Sequence, residues 1–156
     1  MGSRGQGGKG ACGLPWRCPA LDHPAMPATI TSTAHAAILA AAAKAAPQEA
    51  CGLLFGTAAH IETARPAANV HPEPLRHFEI DPAALIAAHK AARAGGPLVL
   101  GYFHSHPNGL ARPSATDAAS ALGDGRIWAI AASGMVTLWR DGPSGFEALS
   151  YQVKEG

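Results

Sequence analysis

The sequence predicts an α/β fold in which helices flank one central mixed β-sheet. Its segments follow in the order α, β, β, β, α, β, α, β, β, β, so strands and helices are interleaved along one chain. The length of 156 residues suits a single domain, which at this size buries about two thirds of the surface of its unfolded chain. The longest apolar stretch, residues 36–43, is far shorter than the roughly 20 residues of a membrane-spanning helix, so no membrane partner is expected.

The first half of the domain is predicted to hold one helix and three extended segments. The helix covers residues 34–46, because the hydroxyl side chains at 31–33 offer N-caps, alanine has the highest helix propensity, and Pro47 ends the helix. Strands are expected at residues 51–56 and 60–64, followed by a proline-containing loop over 65–76 and a further extended segment at 77–80.

The second half is predicted to begin with a helix, since Asp81 suits the N-cap and Pro82 the first helical position. This helix runs to about Arg93, and the pair Gly95-Gly96 then reverses the chain into an apolar strand. The remaining elements are that strand at 98–103, a helix over 114–123, and strands at 126–132, 135–140 and 146–153.

Residues 1–26 are glycine-rich and show neither helical nor strand periodicity, so a disordered tail is expected before a single domain over residues 27–156. Cys12 and Cys18 have five residues between them, which fits no common zinc spacing. The segment lacks the apolar core and cleavage site of a secretory signal, and three cysteines give no disulfide framework, so the cytoplasm is the expected location. The balance of 12 Lys and Arg against 11 Asp and Glu gives no basic patch for nucleic acid.

Two histidines at the end of the central strand form a candidate metal site. His104 and His106 are two residues apart, and alternate side chains of a strand share a face, so both imidazoles can approach one ion at about 2.0 to 2.1 Å. Asp117 follows in the first turn of the next predicted helix and supplies a carboxylate. Two histidines and one carboxylate leave a position open for water, as a catalytic zinc requires, so one Zn²⁺ per chain is expected.

Two further residues have the chemistry that such a centre needs. Zinc lowers the pKa of the water that it binds to about 7. Glu49, just before the strand at 51–56, is the candidate general base that takes the proton of this water and returns it to the leaving amine. Ser114 is the candidate hydrogen-bond donor to the developing oxyanion. The pattern Ser114-x-x-Asp117 is also an ordinary capping box at a helix N-terminus, and both interpretations can hold at once.

The joint pattern resembles that of a known family. His104-Ser105-His106-Pro107, followed by Ser114 and Asp117, reproduces the spacing H-x-H-x7-S-x2-D without a gap. With Glu49 before a glycine-containing apolar strand, the chain resembles the JAMM metalloproteases, the active branch of the JAB/MPN domains, from about residue 34 to the C-terminus. Weaker features that resemble compact prokaryotic members are Asn69 and Phe78-x-Ile80-Asp81-Pro82.

The resemblance implies a JAB/MPN-like, cytidine deaminase-like fold. It assigns His104, His106 and Asp117 as zinc ligands, and it gives Glu49 and Ser114 the roles of base and oxyanion donor. It also implies hydrolysis of the amide after the C-terminal glycine of a ubiquitin-like or sulfur-carrier protein, which would be both substrate and partner. The modifier, the leaving amine and the oligomeric state are left open.

Three other functions fit part of the pattern. A catalytically inactive MPN scaffold would only mediate assembly, although this chain has the ligand residues. A hydrolase dependent on Cys51 would be sensitive to alkylation and resistant to chelators, the reverse of a zinc enzyme. A two-histidine, one-carboxylate site can also hold Fe(II) for an oxygenase, but Glu49 and Ser114 have no role in that chemistry.

Overall fold

The structure is a computed structural model and describes residues 27–156. The predicted tail over residues 1–26, with Cys12 and Cys18, lies outside the described residues, so the predicted domain boundary stays a prediction. The elements in chain order are β1 Ala28–Thr31, α1 Ser32–Ala45, β2 Cys51–Thr57, β3 His60–Ala67, α2 Pro82–Arg93, β4 Val99–Ser105, α3 Ala115–Ser120, β5 Ile127–Ala132, β6 Met135–Gly142, β7 Gly145–Leu149 and β8 Tyr151–Lys154.

The eight strands form one mixed sheet in the order β7-β6-β5-β4-β2-β3-β1-β8. Three neighbouring pairs are parallel, β4 with β5, β1 with β3, and β1 with β8, and the others are antiparallel. Although β7 and β8 stand at opposite ends of this order, only Ser150 separates them along the chain. The sheet therefore curls until its two ends meet. The predicted class, a mixed sheet with helices against it, is confirmed.

Helix α1 fills the inside of this curled sheet. It contacts strands from both halves of the sheet, β1, β3, β4, β5, β6 and β8. Thr31 is its N-cap and accepts a hydrogen bond from Ala34 N at 3.0 Å. Its small alanine side chains allow close approach, while Ile38 is fully buried among the apolar strand residues. Burying one such side chain stabilises the fold by about 1.5 to 3 kcal/mol.

Helix α2 covers the other face of the central strands. Its residues Leu85 and Ala88 pack against Leu53, Phe55 and Tyr102 of β2 and β4. Strand β4 is thus enclosed between α1 and α2, and the chain leaves the sheet at Ser105 between the two histidines.

A glycine in β4 permits close packing of its neighbour. A Cβ atom at Gly101 would lie 1.7 Å from the carbonyl oxygen of Ile127 in β5. Only a residue without a side chain fits there, so Gly101 allows β4 and β5 to pair in parallel.

Four of the predicted elements differ from the structure by more than a shift of two residues at one end. Residues 77–80 form no strand, since Ile80 makes only an isolated bridge with Asn69. Strand β3 continues through Pro66 to Ala67. Proline has no N–H donor, but β1 pairs only with the first residues of β3, so on that side no neighbouring strand needs a donor from Pro66. Helix α3 ends at Ser120 and not at residue 123. The predicted last strand is divided at Ser150, because its two halves pair with β6 and with β1.

Strand β1 was not predicted at all. It has four residues and pairs with strands that are distant in sequence, so no local pattern marks it. Within residues 27–156, no helix is both long and apolar enough to cross a membrane.

Candidate metal centre

Three side-chain atoms meet at the C-terminal end of β4. The Nε2 atoms of His104 and His106 lie 3.0 Å apart, and each lies 3.1 Å from Oδ2 of Asp117. All three residues are buried. Ligand atoms about 2.0 to 2.2 Å from a tetrahedral zinc lie about 3.3 to 3.6 Å from one another, so this triangle differs from a zinc-binding one by a few tenths of an ångström. The donor set therefore fits one metal ion.

The orientation of His106 supports the same conclusion. Its Nδ1 lies 2.7 Å from the carbonyl oxygen of Leu110, which can only accept a hydrogen bond, so Nδ1 carries the proton. In the neutral ring, Nε2 then presents a lone pair towards the carboxylate oxygen of Asp117. At 3.1 Å from that carboxylate oxygen, the lone pair is repelled unless a metal cation lies beside both atoms or the ring gains a proton on Nε2 and donates it to Asp117.

His104 lies under an aromatic cover. Its ring stacks on Phe78, with centroids 4.3 Å apart and an interplanar angle of 17°, and Trp128 contacts it edge-on. The side chain is 0% exposed, and its Nδ1 has no hydrogen-bond partner in the described part of the chain. Burial lowers the pKa of His104, and the hydrogen bond with Asp117 only partly offsets this. The neutral imidazole, which is the form that binds a metal, is thereby favoured.

The other two candidate ligands are shifted in opposite directions. Burial raises the pKa of Asp117, but hydrogen bonds from His104 and His106 outweigh it and hold the pKa well below its usual range. Burial lowers the pKa of His106, but its bonds with Asp117 and the Leu110 carbonyl reverse the sign, so its pKa is raised. Protons therefore compete for His106 as the pH falls, whereas Asp117 remains a carboxylate.

Asp117 is positioned by the start of α3. Ser114 Oγ accepts a hydrogen bond from Asp117 N at 3.0 Å, and Asp117 Oδ2 accepts one from Ser114 N at 2.9 Å. This is the capping box that the sequence predicts, and the carboxylate oxygen that completes it is the one that faces both histidines. The hydroxyl of Ser114 acts as an acceptor in this pair, so its own proton remains available for donation.

Glu49 lies on the segment between α1 and β2 and is 7% exposed. Its carboxylate and one nitrogen from each of His104 and His106 lie within 4.8 Å of one another, so these three residues also form a possible metal-binding group. Asp117 is the better third ligand, because its oxygen is 3.1 Å from both nitrogens. Burial raises the pKa of Glu49 to about 7. The charge of His106 acts in the opposite direction, and the charge of Asp117 adds a smaller increase.

A cavity of about 410 Å³ opens beside this centre. Its polar lining includes Glu49, Ser114 and Asp117 from the site, together with Arg76 and Glu79, and the rest is partly aromatic or aliphatic. The wall residues include Phe78, Ile80, Leu85, Tyr102 and Trp128. The structure thus brings all five predicted site residues to one region, beside this cavity.

Cys51 does not belong to this group of side chains. Its Sγ lies 3.7 and 3.6 Å from the carbonyl oxygens of Ala67 and Ala68. Burial, and secondarily the charge of Glu49, raises the pKa of this thiol to about 12. A thiol with such a pKa is not an effective nucleophile near neutral pH, which argues against the Cys51-dependent hydrolase.

Two contributions were missed by sequence reasoning. The first is the backbone carbonyl of Leu110, which orients His106; a main-chain atom leaves no signal in the residue type. The second is Trp128 in β5. Its ring is buried but also contacts His104 and borders the cavity.

The fold and the site define a mixed α/β domain built around a buried His-His-Asp centre. Residues 31–142 match a family described as prokaryotic homologs of the JAB domain, and the chain belongs to this family. A solved structure from Desulfitobacterium hafniense is 32% identical with a TM-score of 0.72, covering 82% of this chain and 93% of that one. A JAB1/MPN domain protein from Archaeoglobus fulgidus, 22% identical, shares the fold with a TM-score of 0.56 over 81% of this chain and 99% of its own. The predicted JAB/MPN resemblance and fold are confirmed.

Two relatives have names that describe an activity. The desampylase of Haloferax volcanii is 36% identical over 86 residues, which are 54% of this chain and 62% of the relative. A probable TtuB-protein conjugate cleaving protease of Thermus thermophilus is 44% identical over 72 residues, which are 46% of this chain and 48% of the relative. The matched regions thus span about half to three fifths of these two proteins.

Proposed function

We propose that this chain is a zinc-dependent peptidase or isopeptidase. The observation that carries the proposal is the triangle formed by His104 Nε2, His106 Nε2 and Asp117 Oδ2, with sides of 3.0 to 3.1 Å. These three residues would hold one Zn²⁺. When bound there, zinc supplies a Lewis acid and lowers the pKa of its water to about 7.

Glu49 is the general base in this proposal. It lines the cavity, lies within 4.8 Å of both candidate histidine ligands, and has a pKa raised to about 7. A carboxylate with such a pKa takes a proton from water near neutral pH and, as the acid, returns it to the leaving amine. General acid–base catalysis of this kind typically contributes about a hundredfold to ten-thousandfold.

Ser114 stabilises the transition state in the same proposal. As the scissile carbonyl becomes tetrahedral, its oxygen gains negative charge, and the free proton of the Ser114 hydroxyl can bond to it. Ser114 is already fixed by the capping box, so little reorganisation is needed when the charge develops. The aromatic and aliphatic side chains of the cavity wall lower the local polarity, which strengthens this hydrogen bond.

The proposed substrate is a ubiquitin-like or sulfur-carrier protein joined through its C-terminal glycine to an amine. The names of the two curated relatives support this class, since one describes cleavage of TtuB-protein conjugates and the other a desampylase. The predicted cytoplasmic location and the absence of a nucleic-acid partner belong to the same proposal. Fractionation of cells that express the tagged chain would test the location.

The activity is tested with fusions in which the C-terminal glycine of a ubiquitin-like or sulfur-carrier protein is joined to a reporter. Zinc-loaded wild type should cleave at least one fusion after the glycine, o-phenanthroline should stop the cleavage, and Glu49→Gln should be inactive. Cleavage that resists the chelator would contradict the proposal. An inactive scaffold would bind such proteins but cleave none of them, with or without zinc.

A further inference from the structure

The backbone around Glu49 is fixed without regular secondary structure. Glu49 and Ala50 lie between the end of α1 and the start of β2, yet all four of their main-chain polar groups are bonded. Glu49 N donates to the carbonyl of Pro74 at 2.8 Å, and Ala50 O accepts from Ser105 N at 3.0 Å. The other two groups bond to side chains: Ala50 N to Ser105 Oγ at 2.7 Å, and Glu49 O to Asn69 Nδ2 at 3.0 Å.

The amide of Asn69 uses its whole hydrogen-bonding capacity. Its Nδ2 donates to the carbonyls of Glu49 and His77, and its Oδ1 accepts from the amides of His71 and Glu79, all at 3.0 Å. A primary amide has two N–H donors and an oxygen that accepts two bonds, so no capacity is left. One side chain therefore joins the Glu49 segment to the loop before α2.

That loop carries the aromatic cover of the metal centre. His77 and Glu79, which Asn69 bonds, are the two neighbours of Phe78, whose ring stacks on His104 at 4.3 Å. Asn69 thus fixes two things at once: the backbone that bears the proposed base, and the ring that covers one proposed ligand. Among the described residues, Asn69 makes no hydrogen bond to a proposed ligand atom or to the Glu49 carboxylate.

We propose that Asn69 is a positioning residue for Glu49. It holds the Glu49 backbone at the distance from His104 and His106 that proton transfer requires, and it acts on catalysis without binding the metal. This inference rests on the proposed function, in which Glu49 is the base. A shift of about 1 Å in a reacting group costs about a hundredfold in rate.

The test compares two Asn69 variants with one control, all as the full chain loaded with zinc. Asn69→Ala removes all four hydrogen bonds. Asn69→Asp keeps the two acceptor bonds to His71 and Glu79 but cannot donate to the carbonyls of Glu49 and His77. The control is Asp81→Ala, which removes the N-cap bond to Ala83 N at the end of the same loop without touching Glu49 or Phe78.

The quantities to measure are bound zinc, thermal unfolding, and kcat and KM on the reporter fusion, with rates normalised to the folded, zinc-loaded fraction. Both Asn69 variants should retain about one zinc. Their kcat should fall about tenfold to a hundredfold, and more than KM changes, while Asp81→Ala keeps the kcat of wild type. Normalisation keeps the comparison valid if Asn69→Ala folds poorly, and the kcat of Asn69→Asp gives a second, independent test.

Two outcomes would overturn the inference. One is a kcat of wild-type size in both Asn69 variants; the other is an equal fall of kcat in Asp81→Ala, which would show that loop stability alone is responsible. Glu49→Gln is measured beside them. If Glu49→Gln remains active, the proposed function itself is wrong; if it is inactive while the Asn69 variants are unimpaired, only the role of Asn69 is wrong.

Discussion

Ser114 and Asp117 cap the same helix turn by bonding to each other's main-chain amides, at 2.9 and 3.0 Å. The same oxygen of Asp117 lies 3.1 Å from both histidine nitrogens. The capping box therefore positions a candidate metal ligand, and a motif that is common for structural reasons also has a functional consequence here. Substitutions of Ser114 or Asp117 should therefore change the free energy of unfolding and the reaction rate by different amounts.

Ser114→Ala should lower the rate far more than it lowers stability. Loss of one N-cap costs about 1 kcal/mol of helix or protein stability. Loss of an oxyanion donor commonly lowers kcat about a hundredfold to a thousandfold. Thermal unfolding and steady-state kinetics on zinc-loaded protein would measure the two effects. The matched control is Thr31→Ala at the N-cap of α1, which should show the stability loss alone. An equal loss of kcat in both variants would argue against the role of Ser114.

The reaction should depend on the ionisation of Glu49. Burial raises its pKa to about 7, and a general base must be ionised to accept a proton. As the pH falls through this pKa, Glu49 gains a proton and kcat should fall; as the pH rises, kcat should rise to a plateau. The charge of bound zinc favours the carboxylate, so the midpoint should lie at or below about 7. A rate that stays constant through this range would show that another group is the base.

Cys51 should be dispensable for the reaction. Its buried thiol has a pKa raised to about 12, so almost none of it is thiolate near neutral pH. Cys51→Ala should retain the kcat of wild type, and iodoacetamide should leave Cys51 unmodified in the folded protein. Peptide mapping by mass spectrometry separates Cys51 from Cys12 and Cys18, and unfolded protein gives the positive control. Inactivation that coincides with alkylation of Cys51 would restore the cysteine-hydrolase alternative.

Gly101→Ala should disturb the metal centre through the fold. The added Cβ would lie 1.7 Å from the Ile127 carbonyl oxygen, so β4 and β5 must separate just before the histidines. Forced overpacking typically costs about 1 to 3 kcal/mol, which thermal unfolding would detect together with weaker zinc binding. The control is Gly95→Ala, where no atom lies within 4 Å of the added Cβ and only the strain of a φ of +97° remains. Equal zinc affinity in the two variants would contradict this prediction.

Features determined by neighbouring residues were predictable from the sequence. The two-residue spacing of His104 and His106 at the end of β4, the capping box at Ser114, and the helix start at Asp81 all depend on a few consecutive residues. The structure brings Glu49 to the two histidines because the apolar strand after Glu49 pairs with β4, whereas Ser114 and Asp117 come from the start of α3. In that pairing, Cys51 stands opposite His104.

Features determined by distant residues were not predictable in the same way. Strand β1 is defined by parallel pairing to β3 and β8, which no local pattern reveals. The segment at 77–80 has strand-like residues, but the amide of Asn69 takes its main-chain groups in place of a sheet neighbour. The carbonyl of Leu110 orients His106 only because of the path of the loop between them. Each of these depends on the folded chain and not on a residue type.

The most direct test of the account is the metal content of purified protein, measured by elemental analysis for wild type, Glu49→Gln and His106→Ala after reconstitution with zinc. Wild type and Glu49→Gln should each hold about one zinc per chain, because Glu49 is a base and not a ligand, whereas His106→Ala should lose most of it. Circular dichroism would verify that all three are folded. Folded wild type that binds no zinc would contradict the account, and loss of zinc in Glu49→Gln would show that Glu49 is itself a ligand.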